Sequence, residues 1–237
     1  MKTTSNARGD DLKPLRLLDV VLSWPLEDVL NENLYEDKVL KIPETFESAT
    51  DYKNSFIPLL FEETRADLSP SLSAVSRAPF CEIKEVVSSQ QLKLPKAPKE
   101  FKQFRHIIQL KSTTDTGEDG ENYEPGNGDL IVFTNIRPKS LDDLNTLKSP
   151  YHIAYVVHAK DRYDRISVLS SKCMKMFIEN EFRNNNEQKL YALHLINITT
   201  NIRTSDTLNS PHRATETKVV KHEEVFFFIS LSWKWFL

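Results

Sequence analysis

Five basic side chains fall three residues apart between positions 93 and 105: Lys93, Lys96, Lys99, Lys102 and Arg105, with Pro95 and Pro98 among them. A polyproline II helix has three residues per turn, so in that form the cations line one edge at intervals of roughly 9 Å. Such an edge can hold a string of phosphates, with an affinity that falls as salt rises. Tyr151, Tyr155 and Tyr163 are aromatic side chains of the kind on which bases stack. The competing account is plainer. It makes the basic run a solvated linker whose lysines keep neighbouring strand edges from pairing, and gives the tyrosines places in a core or at its rim.

Other constellations fail a chemical test. A nucleotide-phosphate loop needs GxxxxGK[ST], with backbone N–H groups around the phosphates and a Lys to neutralise them, and no such string occurs. Of only five glycines, the cluster Gly117, Gly120, Gly126 and Gly128 sits among Asp115, Glu118, Asp119, Glu121, Glu124 and Asp129, which repel phosphate. The six histidines show no HExxH spacing, and the two cysteines no CxxC. His152 and His158 share a strand face about 20 Å apart at ~3.3 Å per residue, too far for one metal. Glu62 with Glu63, and Asp142 with Asp143, are neighbours on candidate helices and do not face each other, which suits solvated or helix-terminal roles better than acid/base work. No Ser-His-Asp arrangement follows from spacing alone. The expectation is a protein without enzymatic activity, cofactor or metal.

The composition sets outer bounds. At 237 residues there is room for one or two domains and a sizeable core. The net charge of -3 beside 39% apolar residues fits neither a disordered chain nor a globally basic nucleic-acid binder, so any positive surface must be local. Cys81 and Cys173 are too few for a disulfide framework. With no secretory signal at the start, a reducing intracellular compartment is expected.

The elements that must position these residues centre on positions 128–171. Residues 129–136 alternate Leu130, Val132, Thr134 and Ile136 against Ile131, Phe133 and Asn135, a strand apolar on both faces and hence central. Gly126 and Gly128 allow a tight turn before it, and Arg137-Pro138 closes it. Ser140 three residues before Asp143 predicts a capped helical start over 141–147. Residues 151–159 and 165–170, joined by the polar turn 160–164, predict a hairpin. Further strands are expected at 80–87, 104–110 and 190–198. Before them, Leu15, Leu18, Val21, Leu22, Leu26, Val29 and Leu30 predict an amphipathic helix broken near Pro25. A second helix over 52–68 is expected to kink or restart at Pro58 and to be capped by Ser48, Thr50 or Asp51. A Ser/Pro-rich joint follows at 69–79, and Thr199 or Thr200 is expected to cap a short helix through Leu208. Two helices followed by six strands imply an α+β fold: a small antiparallel β-barrel on an N-terminal helical stalk.

Four strings then carry a resemblance: SWPLEDVLNENLYEDKVLKIPETF, YKNSFIPLLFEETRADL, EPGNGDLIVFTNIRPKSLDDLN and YALHLINITTNIRTSDTLNS. Together they resemble the N-terminal region of plant senataxin-like helicases, the superfamily 1 group also called tRNA-splicing endonuclease positive effectors, over roughly residues 15–210. The resemblance implies a stalk and barrel that modulate RNA or DNA binding beside a RecA-like ATPase core, and a nuclear location. Pro25 departs from the pattern. So does the end, where VFFFISLSWKWFL stands instead of the nucleotide-binding loop. That apolar run is shorter than the ~20 residues that span a bilayer, and Lys234 interrupts it, so no membrane anchor is expected. The account expected for it is an altered transcript end or a disrupted gene.

The expected organisation is therefore a polar N-terminus at 1–14, a stalk at 15–76, a barrel at 77–198 with an acidic loop at 112–127, a helix and linker at 199–222, and a divergent tail at 223–237, without the RecA-like core. The expected function is that of a truncated, noncatalytic helicase-like protein holding single-stranded RNA or DNA through Lys93, Lys96, Lys99, Lys102 and Arg105 with Tyr155 and Tyr163. The rival expectations are a module that docks on a protein partner or helicase paralogue through stalk or tail, and a gene fragment with no function of its own.

Overall fold

Six strands pair edge to edge until the sheet meets itself. In the computed structural model, which describes residues 16–93, 102–111, 123–146, 151–174 and 189–210, they are β1 (Phe80–Leu92), β2 (Gln103–Leu110), β3 (Asp129–Thr134), β4 (Ile153–His158), β5 (Arg165–Ser170) and β6 (Leu190–Asn197). The order is β1-β2-β5-β4-β3-β6, with β6 pairing back onto β1, and every pairing is antiparallel. Among the described residues every strand has a partner strand on both sides over at least part of its length, which limits the edge open to another chain. With α1 (Leu17–Ser23), α2 (Leu26–Leu30), α3 (Ala49–Ser73) and α4 (Thr199–Asn209), the fold is mixed α+β.

β3 explains the layering. All six of its residues are buried. Ile131 and Phe133 point into the ring with Ile108, Ile166 and Val168, whereas Leu130 and Val132 point out into a second cluster with Leu68, Leu72 and Val21 of the helices. A strand apolar on both faces needs a layer on each side. The ring interior supplies one and the helices supply the other.

The helices are fixed to that layer by local chemistry. Pro25 has no amide hydrogen and keeps Trp24 out of the helical region, so the first apolar stripe splits into α1 and α2, as its spacing predicts. Ser48 caps α3, its hydroxyl oxygen accepting from the Asp51 amide at 3.1 Å. Buried Arg65 donates to the carbonyl of Val29 at 2.8 Å and to Glu62, tying α2 to α3. Asn201 of α4 donates to Thr64 of α3 at 3.0 Å.

Several expectations need correction. α3 runs unbroken through Pro58 and Pro70, so much of the joint expected at 69–79 is helix. β1 extends to Leu92, because its pairing with β2 continues to Leu92 opposite Gln103. Arg105 belongs to β2, opposite Gln90 and Leu169, and so cannot continue a polyproline edge. The cap of α4 is Ile198 without a side-chain bond, while the Thr199 amide donates to Asn197. The capping box at Ser140 is present, with the Asp143 carboxylate accepting from the Ser140 amide at 3.1 Å, but the turn it starts is a short 3-10 helix, Leu141–Leu144. Residues 1–14, most of the acidic loop, Lys96, Lys99 and the 223–237 tail lie outside the described residues.

One polar knot joins β3, β6 and α4. Asp129, buried at the start of β3, accepts from the Tyr123 hydroxyl at 2.6 Å, the Gly126 amide at 2.8 Å and the Asn197 side chain at 2.7 Å, and faces the His194 imidazole at 3.6 Å. Burial pushes its pKa up, but these donors outweigh burial and hold the carboxyl at about 2. Gly128 makes the turn at φ 90, and a Cβ there would fall on the Thr199 hydroxyl. Gly128→Ala therefore meets both backbone strain and a clash, and should cost at least about 2 kcal/mol. Urea unfolding reads this directly; a midpoint unchanged from the parent would remove the knot from this account.

Candidate nucleic-acid interface

The helices cover one side of the ring. Their core takes the outward residues of β3, β4 and β6, and α1 reaches only the near end of β2, where Asp19 accepts from the Gln103 side chain. Among the described residues, the outward positions of β1 past Phe80, of β2 past Gln103 and of β5 before Leu169 lie outside that core, and of these Ser167 is nonetheless buried. His106, Ile108 and Leu110 are buried on the inward face of β2, so alternation places Arg105, Ile107 and Gln109 outward. Ladder pairing sets Gln109 opposite Arg165 of β5, and Arg105 opposite Gln90 of β1. Arg105, Arg165, Gln90, Ser88 and Lys84 are exposed. Arg105 and Arg165 thus stand on one face, about 13 Å apart along the strand direction.

The candidate residues fall into three groups. Lys93 and Lys102 are exposed at the paired ends of β1 and β2, one residue beyond Leu92 and one before Gln103, so the structure brings them to the same end of this face as Arg105. Tyr163 lies at the other end, on the turn between β4 and β5, with 53% of its surface exposed. Tyr155 is half-buried on the helix side, its pKa raised by burial and by Asp206 of α4, and is not brought together with the others. Tyr151 is 3% exposed and packs in the helix-side core, where no base can reach it.

Two residues join this surface that the spacing of lysines does not reveal. Arg162 and Arg165 hold their guanidinium groups 4.8 and 5.5 Å from the centre of the Tyr163 ring. Their signal in the sequence is the string RYDR, an aromatic among cations at a turn. Elsewhere, a recess between Arg137, Phe80 and Tyr191 measures only about 10 Å³, the room of one water.

A family model described as a domain of unknown function (DUF6469) matches residues 13–226. The chain belongs to that family. No curated protein matches it. Every described element lies within the matched range, so the helices, the closed sheet and the basic face are all parts of the DUF6469 domain.

Inside the ring of the DUF6469 domain lies a second polar group. Ser170 donates to the Lys172 carbonyl at 2.6 Å, which leaves its oxygen to accept from Nε2 of His106 at 3.1 Å. Nδ1 of His106 then accepts from the Ser89 hydroxyl at 2.8 Å. A serine bonded to an imidazole resembles the start of a nucleophilic relay, but the far nitrogen meets a hydroxyl instead of a carboxylate that would stabilise an imidazolium. Burial lowers His106 from its ordinary 6.5 to about 4, keeping it neutral. Cys81, with its thiol pushed up to about 12 by burial, is no thiolate either. The group fits a packing role.

It also fixes an acid response. His152 is fully buried and lowered to about 3, first by burial and then by Lys172 and His106. Both histidines take up protons in the unfolded chain below 6.5 and resist them in the folded one, so their stabilising effect is complete above 6.5 and is lost as pH falls toward 4 and 3. Each adds a slope of up to about 1.4 kcal/mol per pH unit in that window. Urea midpoints at stepped pH should show this loss, and His106→Gln should flatten it; an unchanged slope would contradict the assignment.

Proposed function

We propose that this domain is a noncatalytic nucleic-acid-holding module, the stalk-and-barrel part of a senataxin-like helicase, in which the helices form the stalk and the closed ring is the barrel. The observation that carries the reading is the outward face of β1, β2 and β5, on which Arg105, Arg165, Lys93 and Lys102 are exposed among the described residues. On a chain of net charge -3 such a local basic face is what attraction to phosphate requires. Its cations act chiefly through release of counterions, so binding is salt-sensitive and indifferent to sequence. The quoted strings support the helicase kinship, and with it a nuclear location. Binding without catalysis is supported by the chemistry of the polar groups: Asp129 is saturated by donors, and His106 is neutral and lacks an acid partner.

A second reading has its own observation. Leu40 is 70% exposed, and Phe46, Tyr52 and Phe56 pack on one another at the start of α3, away from the buried second half of that helix. A protein partner docking there would use apolar contact and survive salt.

Titration of labelled single-stranded RNA and DNA separates the two. Binding is expected at about 50 mM salt and should weaken steeply toward 150 mM, with Arg105→Ala lowering the salt slope by about 0.7. Absence of binding even at low salt overturns the proposal.

A further inference from the structure

We infer that Tyr163 is a base-stacking platform, so that the basic face takes a nucleic-acid strand with an unpaired base at the turn between β4 and β5. This rests on the reading of that face given above and adds the class of strand it selects.

The turn is built to hold an aromatic ring out in water. Asp161 accepts from the amides of Tyr163 at 2.8 Å and Arg165 at 3.0 Å. Its own amide donates to the Arg165 carbonyl at 2.9 Å, and the Asp164 amide donates back to the Asp161 carbonyl at 3.1 Å. Asp164 takes a left-handed backbone, φ 57, and its carbonyl accepts from Leu110 of β2 at 2.8 Å. The ring is thus presented on a fixed backbone at the edge of β2, with more than half its surface exposed. A tyrosine that served packing would turn inward, as Tyr151 does.

Its surroundings define the ligand. Arg162 and Arg165 lie over the ring, so a base that stacks there takes the place of a guanidinium and frees it for the phosphates nearby. Arg165 also stands on the outward face with Arg105, so a strand stacked at Tyr163 continues along β2 toward Lys102 and Lys93. Acids oppose it unevenly. Asp161 is occupied by amides, and Asp164 and Glu124 pair with Lys160. Glu85, exposed and opposite Gln109, carries a carboxylate beside the path. Bases inside a duplex are already stacked on both sides, so the ring gains nothing from them, whereas every unpaired base has a face to offer. RNA and DNA single strands share this chemistry.

The test uses the whole chain and labelled oligouridine, oligothymidine and a mixed duplex of about twelve units, within the site sizes of small barrels. At low salt, Tyr163→Ala should weaken single-strand binding roughly tenfold and leave duplex binding unchanged, while Tyr163→Phe stays near the parent. Glu85→Lys should tighten both kinds of strand. The oligouridine and oligothymidine arms show which sugar the face accepts, and a tyrosine effect on either supports stacking. Parent binding that is indifferent to Tyr163→Ala, or an equal loss for duplex, overturns the stacking role and leaves the basic face standing. Failure of the parent to bind any strand overturns both. Matching thermal melts for the variants guard against unfolding, and a lower melt for Tyr163→Ala with a tenfold loss absent from Tyr163→Phe still counts against stacking if duplex binding falls alongside.

Discussion

A carboxylate withdrawn from water must be fully supplied with donors or abandoned as a charge, and Asp129 meets that constraint at the point where three elements converge. Its donors come from the turn before β3, from Tyr123 and from β6, so the knot forms only when β3 and β6 are in register. The positive φ of Gly128 and the close approach of Thr199 then aim α4 back across the sheet. The β3–β6 register and the start of α4 are therefore tied together by one polar contact, even though burial of apolar surface provides most of the stabilisation.

That placement decides where a ligand can sit. Helices packed on β3, β4 and β6 consume the outward residues of those strands, including Tyr155. Among the described residues, the interior is filled by Phe133, the isoleucines and the Ser89-His106-Ser170 group. Among the described residues, what remains is the opposite outer face and the hairpin ends at its two limits. An extended ligand fits such a surface better than a compact one, since its exposed cations stand in a line.

Much of this was legible in the residues because it depends on local rules. Period-two alternation located all six strands, and the apolar character of both faces of β3 placed it centrally. Pro25 broke the first helix where proline must. The errors came where tertiary packing overrode local preference. Pro58 and Pro70 sit within α3 because Leu60, Leu68 and Leu72 are buried along it, and that burial outweighs the missing amide bonds. β1 ran past Val87 because β2 supplied a partner for residues whose own pattern, Ser88, Ser89, Gln90 and Gln91, carries no strand signal. The lysine spacing was real as a sequence pattern, but Arg105 obeys the strand period of two and not the threefold period of a polyproline helix. Arg165 could be joined to Arg105 only after the β2 to β5 pairing was known, since sixty residues of chain separate them.

The electrostatics argue for holding rather than gripping. The cations of the face stand in high dielectric, where each phosphate contact is weak alone and screened within about 8 Å at physiological salt. Glu85 further limits the field on the β1 side. A surface of this kind cannot select a sequence, because phosphates carry none. Any preference it shows must come from a group that senses the state of the bases, and on this face the exposed ring of Tyr163 is placed to do so, at the end of the line of charge and on a turn that other side chains have already fixed. In the proposed reading, charge sets how often a strand is met, and the aromatic ring sets which strands stay.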